Sequence, residues 1–207
     1  PFRSDVTFEE VQFAAVARLD DLNVRDLFGD YDVSNGQMRL TLDENNMEVG
    51  GSIAVEGMPA EVKWIENFSP QAPFQSRYDI SAVLDQQARE TFGVNVAPFA
   101  SGPFDMNFTY TVSPDGAQHI AAALGAEDAL IEIPELFWEK PIGERASILV
   151  LARLEDHKNV EVTNFELNSM DLRVKGRAEI GPQHGNLISA ELSSVQLGDN
   201  DVTVSYK

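Results

Sequence analysis

Three histidines are the first side chains to consider, because imidazole both binds metals and transfers protons. His119, His157 and His184 lie far apart in the chain, and none belongs to an H-x-H or H-E-x-x-H pattern. The sequence has no cysteine, so disulfides, thiolate metal sites and thiol nucleophiles are excluded. We therefore interpret the histidines as polar residues at strand ends or turns, and we predict no metal site among them.

The segment 30–36, DYDVSNG, begins like a calcium-binding loop, with the spacing D-x-D-x-S. A calcium loop of this type needs glycine at its sixth position and a bidentate glutamate at its twelfth. Here Gly36 comes one place late, and Thr41 stands where the glutamate is required. An acidic turn is the better interpretation of this segment.

Paired carboxylates, such as Glu9 with Glu10 and Glu127 with Asp128, could in principle share acid and base roles. In a chain with 34 acidic residues such pairs arise by chance, and a solvated face explains them better. No G-x-S-x-G elbow, phosphate-binding loop or dinucleotide fingerprint occurs. We predict that the protein is not an enzyme and uses no cofactor.

Charge and length restrict the remaining classes of function. The net charge of −19 repels nucleic acid and anionic membrane surfaces. Hydrophobic residues make up 43% of the 207 residues, enough for a core, yet no apolar run approaches the ~20 residues that cross a bilayer. The chain starts at Pro1 without a leader and stops at Lys207 within an alternating pattern, so we expect a single β domain, 1–207, cut from a longer protein.

Alternation of apolar and polar residues dominates the sequence and predicts β-strands with one apolar and one polar face. The clearest case is the segment 170–180, MDLRVKGRAEI. Turn signals separate the runs, and they predict successive hairpins. These turns are Ser34-Asn35-Gly36, Glu44-Asn45-Asn46, Gly57-Met58-Pro59, 113–116, 156–159 and Gly198-Asp199-Asn200.

Two segments depart from this pattern. In 79–93, DISAVLDQQARETFG, near-helical spacing of the apolar residues and Gly93 at the expected C-terminal cap predict a short helix that covers one end of the sheet. In 146–154, Leu149 and Leu151 lie opposite Ile148 and Val150, so this strand is apolar on both faces. We expect the sheet's own curl, or the helix, to cover the second face.

The segment 133–144, IPELFWEKPIGE, resembles the "ip-lgW-Kp-G" signature of the AsmA-like superfamily, specifically the YhdP-type central region of bacterial envelope proteins related to TamB. Shorter matches are MEVGGSIAVEGMPAE at 47–61, the strand pair from Phe165 to Gly176, and LGDNDV at 197–202. The chain departs from the signature at Phe137, where the family more often has glycine.

This resemblance implies an elongated, curved antiparallel β-sheet with a hydrophobic groove, in a bridge-like protein that carries phospholipid between the inner and outer membranes. It also implies a periplasmic location, an inner-membrane anchor outside this chain, and flanking segments of the same parent chain as partners. Members of the family are not known as enzymes, so no catalytic residue is carried over. The alternative is a non-catalytic scaffolding domain that assembles through the edges of its sheet.

Site residues follow from the alternation alone. We predict that acyl chains lie against the residues Phe108, Tyr110, Val112, Ile148, Val150, Leu154, Leu172 and Val174. Structural roles are predicted for Trp138, Lys140, Pro141 and Gly143: the indole packs on the apolar side, the lysine pairs with an acid, and the last two shape a turn.

Overall fold

The computed structural model describes residues 13–28, 31–94, 96, 99–155, 159–181, 187–198 and 200–202. It is mainly β, with one large open antiparallel sheet and one short α-helix, as the sequence predicts. Within the described residues no helix is long and apolar enough to cross a membrane. Several residues named above lie outside the described residues, namely Glu9, Glu10, His157, His184, Asp199 and most of the predicted turn at 156–159.

Twelve strands form the large sheet, and each pairs with the strand that follows it in the order below. Their bounds are β1 Ala14–Phe28, β2 Tyr31–Asp43, β3 Asn46–Val55, β4 Met58–Asn67, β5 Ser76–Leu84, β7 Phe104–Val112, β8 Gln118–Gly125, β11 Ser147–Glu155, β12 Asn159–Asn168, β13 Leu172–Ile180, β14 Leu187–Leu197 and β15 Asn200–Val202. Every pairing is antiparallel. The predicted meander of hairpins is therefore confirmed.

Two insertions interrupt the meander and fold together over one end of the sheet. The first carries helix α1, Gln86–Thr91, and strand β6, Ala100–Ser101. The second carries β9, Leu130–Ile133, a 3-10 turn at Pro134–Leu136, and β10, Trp138–Lys140. Strands β10, β9 and β6 form a small sheet of their own, which links the two insertions. We call these elements the cap, and the end of the large sheet beneath them the capped end.

The predicted helix exists, but it begins later than its apolar spacing suggested. Ile80 and Leu84 belong to strand β5, Asp85 caps the helix by accepting a hydrogen bond from the Ala88 amide, and Gly93 adopts a φ of 69° as predicted. Residues i and i+4 lie on one side of both a helix and a strand, so this spacing alone does not separate the two.

The predicted turn at Ser34-Asn35-Gly36 is wrong. Strand β2 runs through it, and the pairing register with β3 shifts between Ser34 and Gln37, with Asn35 at a φ of 55°. The segment is thus a β-bulge, which uses the same residue types as a tight turn. The predicted turns at Glu44-Asn45-Asn46 and 113–116 are present, with Asn46 already in β3. The turn predicted at Gly57-Met58-Pro59 lies one residue earlier, at 56–57, because Met58 and Pro59 belong to β4.

The expectation that strand β11 is buried on both faces is also wrong. Leu151 is 38% exposed, and its cross-strand partner on β8 is the small residue Ala121. The cap lies over the opposite face of the sheet, where its cluster includes Ile148. Leu149 and Leu151 therefore form an apolar strip on the outer side.

Candidate functional site

One face of the large sheet is apolar along its whole width, and we call it the apolar face. Cross-strand partners share a face, so the pairing register identifies its members strand by strand. From β2 to β14 these include Met38, Val49, Val62, Ile80, Phe108, Ala122, Val150, Phe165, Val174 and Val195. The opposite face, which we call the polar face, carries most of the charged side chains.

All eight residues predicted to contact lipid lie on the apolar face. Phe108 pairs with Ala122, which pairs with Val150, and Tyr110 and Val112 continue along β7. The other four follow on β11 and β13, namely Ile148, Leu154, Leu172 and Val174. The structure thus brings these residues together on one surface, and their contact with lipid stays a prediction.

Exposure along this surface changes from one end of the strands to the other. At the capped end of β7, Phe104 is 4% exposed, whereas Phe108 and Tyr110 farther along the same strand are half-buried. On β13, Leu172 is 0% and Val174 is 6% exposed, because both lie in the cluster that the cap covers. Ile148 on β11 is half-buried and packs against the same cluster. Five of the eight predicted residues therefore lie outside the cluster that the cap covers, and Ile148, Leu172 and Val174 belong to it.

A second buried cluster continues the apolar face across β1 to β5. Its members are Val33, Met38, Val49, Ile53 and Ala60, and the half-buried residues around it come from the same five strands. Neighbouring side chains on one sheet thus shield each other from water there.

Trp138 attaches the cap to the capped end of the sheet. It is 6% exposed and belongs to the cluster that contains Leu172 and Val174. Its indole Nε1 donates a hydrogen bond of 2.8 Å to Asp171 Oδ1 in the turn before β13. A buried indole needs a partner for its N–H, and this bond supplies it. The ring therefore packs on the apolar side, as the sequence predicted.

Lys140 does not pair with an acid, contrary to the prediction. The residue is 1% exposed, and its ammonium donates to the backbone carbonyl oxygens of Ala126 at 2.5 Å, Glu144 at 2.7 Å and Glu127 at 3.2 Å. Burial lowers the pKa of Lys140, while the charges of nearby acids oppose this shift. Each of the three N–H groups of the ammonium thus has a carbonyl acceptor. Because Ala126 and Glu127 begin the second insertion and Glu144 lies near its end, the lysine holds the two ends together.

Pro141 and Gly143 form the predicted turn after β10. Gly143 has a φ of 90°, which glycine adopts without steric cost, and its amide donates to Glu127 O at 2.8 Å. The residue before the tryptophan, Phe137, has a φ of 51° and a fully exposed side chain. The glycine that the sequence signature contains at this position suits that backbone better.

Arg89 fixes helix α1 to the sheet. Its guanidinium donates to Leu84 O at 3.1 Å and Gly102 O at 2.6 Å, and it lies 5.3 Å from the centre of the Phe104 ring. The side chain is 6% exposed. The helix therefore covers the capped end through a buried, hydrogen-bonded cation rather than through apolar packing alone.

A row of aromatic side chains crosses the apolar face near its uncapped end, and the site prediction included only its last member. Trp64 and Tyr78 stack with ring centres 5.5 Å apart, and Tyr78 lies 5.9 Å from Tyr110. We call these three the aromatic row. Burial raises the pKa of both tyrosines, and the charge of Glu66 contributes to the shift at Tyr78. Trp64 and Tyr78 were missed because neither strand β4 nor strand β5 was recognised.

Polar side chains replace apolar ones on the apolar face just beyond the aromatic row. Glu66 Oε2 accepts hydrogen bonds from Ser76 Oγ at 2.6 Å and from Trp64 Nε1 at 3.2 Å. Tyr110 donates its hydroxyl proton to Gln118 Oε1 at 2.6 Å. The apolar face therefore ends, beyond the aromatic row, in hydrogen-bonded polar side chains. We call Glu66, Ser76 and Gln118 the fringe.

Ion pairs stabilise the polar face instead. Arg77 contacts Asp79 at 2.9 Å, and Thr109 donates to the same carboxylate at 2.7 Å. Burial alone would raise the pKa of Asp79, but these hydrogen bonds and the charges of Arg77 and Lys63 together lower it. Such pairs are partly exposed and contribute little individually.

Four concavities lie on the described part of the surface, and the eight residues predicted to contact lipid line none of the four. A cleft of about 450 Å³ lies beside α1 and is lined by residues such as Arg89, Glu90 and Ala100. Three smaller ones lie near the 56–59 hairpin and on the polar face. Among the described side chains, no group of three or more His, Asp or Glu residues could hold a metal ion.

Comparison with known proteins identifies no relative: no family model matches the chain, and neither a curated protein nor a solved structure is similar to it.

Proposed function

We propose that the protein is a periplasmic segment of a bridge-like lipid transport protein, in which acyl chains of phospholipids lie along the apolar face. The observation that supports this proposal is the half-buried apolar surface beyond the cap, at residues such as Phe108, Val150 and Leu154. A second sheet packed on this face would have reduced these side chains to the exposure seen at Phe104 and Leu172. The sequence resemblance supplies the cellular setting: a parent anchored in the inner membrane.

Physical chemistry explains why such a surface suits lipid transport. Each CH₂ group exposed to water costs about 0.8 kcal/mol, so a free sixteen-carbon chain faces a barrier of about 12 kcal/mol. Methionine, leucine, valine and phenylalanine contact any acyl chain without directional demands. Twelve strands at ~4.8 Å spacing give a surface about 50 Å wide, over which one chain can move between equivalent contacts.

The first test is extraction of the purified protein with organic solvent, followed by mass spectrometry and by titration with a fluorescent fatty acid. We expect stoichiometric lipid and saturable binding. Ala122→Trp places a bulky ring at the centre of the apolar face, between Phe108 and Val150, and should weaken binding at least tenfold. Ala123→Trp is the matched control, because Ala123 is exposed on the polar face of the same strand.

The alternative is a scaffolding domain that binds no lipid and assembles through its sheet edges. Strand β1, 15 residues long, has no second partner among the described residues, so its outer edge can accept another strand. Absence of extracted lipid and of fatty-acid binding, together with concentration-dependent assembly, would favour this alternative and refute lipid transport.

A further inference from the structure

Glu66 is the one charged side chain that the register places on the apolar face, among the described side chains of the twelve strands. Charged residues are frequent in this chain, with 34 acids and 15 lysines and arginines, so their absence from the rest of this face is a strong pattern. A single carboxylate on an apolar surface costs solvation free energy unless it is paired. This cost makes Glu66 a candidate for a ligand contact.

The neighbours of Glu66 orient the carboxylate without neutralising it. Ser76 and Trp64 both donate to Oε2, and no described contact falls on Oε1. The cross-strand partners of Glu66 are Met47 on β3 and Ser76 on β5, neither of which is charged. The carboxylate is half-buried and lies next to the aromatic row, so a cation that reaches it leaves bulk water and pairs more strongly than at an exposed site.

The position of Glu66 along the strand fits a boundary between lipid tails and a head group. Toward the capped end the apolar face is hydrocarbon, with Val62 and Ala60 following Trp64 on β4. At the boundary, the aromatic row presents apolar rings with polar tips, the arrangement that tyrosine and tryptophan adopt at membrane interfaces. Beyond the aromatic row, toward the uncapped end of the strands, lie Glu66, Ser76 and Gln118.

We propose that Glu66, held by Ser76 and Trp64, binds the ammonium group of a lipid head, so that the apolar face selects ammonium-bearing phospholipids over anionic ones. An ammonium donates up to three hydrogen bonds, and Oε1 of Glu66 offers it a charged acceptor beside the oxygen that Ser76 and Trp64 hold. The net charge of −19 acts in the same direction, because it raises the energy of an anionic head near the surface. This inference rests on the proposed function and names its substrate class.

Two monoacyl phospholipids with the same fourteen-carbon chain test the inference, used below the concentration at which they aggregate. Lysophosphatidylethanolamine carries an ammonium on its head group, whereas lysophosphatidylglycerol carries an uncharged glycerol with two hydroxyls and is therefore anionic. By isothermal titration calorimetry we expect the ethanolamine lipid to bind about tenfold more tightly, because hydrogen bonds between charged groups are among the strongest in proteins.

Glu66→Gln keeps an acceptor for Ser76 and Trp64 but removes the charge, and it should reduce the preference to within about twofold. Met47→Lys provides a second route, because its ammonium would lie across the strand pair from Glu66 and occupy the carboxylate. Glu61→Gln is the matched control: it changes the net charge equally on the same strand, but its side chain lies on the polar face. It should keep the preference. Thermal melts check that each variant is folded.

The possible outcomes separate the two proposals. Equal affinity of the parent for both lipids, or an unchanged preference in both Glu66→Gln and Met47→Lys, overturns the head-group site and leaves acyl-chain binding intact. Binding of neither lipid overturns both proposals. Competition by free ethanolamine at millimolar concentration would indicate a soluble amine as the ligand, and it would overturn the assignment to lipid.

Discussion

Replacing Trp138 with alanine should destabilise the whole protein, because the indole joins the cap to the sheet. The ring is 6% exposed, and truncating a buried tryptophan costs about 3–5 kcal/mol. In a protein of about 200 residues each kcal/mol shifts the melting temperature by roughly 2–4 °C. A loss of about 4 kcal/mol therefore corresponds to a decrease of about 8–16 °C, measured by circular dichroism.

Trp138→Phe separates the contribution of the buried ring from that of the indole N–H, and Phe137→Ala serves as a control. Trp138→Phe keeps most of the ring and loses the N–H that bonds Asp171, so it should cost only about 1–2 kcal/mol. Phe137→Ala is the control, because the neighbouring side chain is fully exposed and its removal should change stability by less than about 0.5 kcal/mol. A Trp138→Ala protein that melts within 2 °C of the parent, measured as above, would refute the role given to the indole.

Three further perturbations follow from single contacts. Lys140→Met leaves three backbone carbonyl oxygens, of which that of Ala126 is fully buried, without their donor. It should cost about 3 kcal/mol in urea unfolding, whereas an unchanged midpoint would contradict the observed bonds. The folded protein lowers the pKa of Asp79, so this carboxylate stabilises the fold at any pH above its ordinary pKa of about 3.9. That stabilisation is lost as the pH falls through the lower pKa of the folded state. Asp79→Asn should therefore flatten the decline of stability below about pH 5, and an unchanged slope would exclude this contribution. Gly51→Ala places a Cβ against the backbone oxygen of Gln37, and it should destabilise the fold by more than about 3 kcal/mol in thermal melts. Gly50→Ala is the control, because its Cβ would make only ordinary contacts and should be nearly neutral. Similar losses in both variants would refute the steric argument.

Alternation predicted the faces of the strands correctly even where bulges interrupt them. The register of β12 shifts opposite Leu151 and Ala152, yet Val150 and Leu154 remain on the same side of β11, because the extra residue lies in the partner strand. Burial on one face fixes which side chains point inward, so a period of two in the sequence carries this information.

The failures have local physical causes. The spacing of Ile80 and Leu84 fits either a helix or a strand. Val83 lies between them on the other face of β5 and is 51% exposed, so an apolar residue on the polar face hides the alternation by which a strand is recognised. Asn35 and Gly36 form a bulge because the hydrogen-bonding partners on β3 continue past them. Local sequence does not reveal which strand lies alongside, and that partner determines each outcome.

The cap and the fringe of the apolar face were beyond sequence reasoning for a different reason. Strand β6 pairs with β9, about thirty residues away, through only two residue pairs, and nothing in either segment specifies the other. Lys140 could have met a carboxylate or a carbonyl, and only the fold brings Ala126 and Glu144 around it. The meeting of Glu66, Trp64 and Ser76 likewise requires the register of two strands.

Because the large sheet joins only strands that follow one another, apart from the two insertions, its assembly needs few distant encounters. Each hairpin closes a short loop at small entropic cost, and the next strand adds to an edge that already exists. The cap depends instead on two segments finding each other across the finished capped end. Folding should therefore proceed from hairpin to hairpin, with closure of the cap as its last event, and the earliest amides to lose protection from hydrogen exchange should be those of β6 and β9.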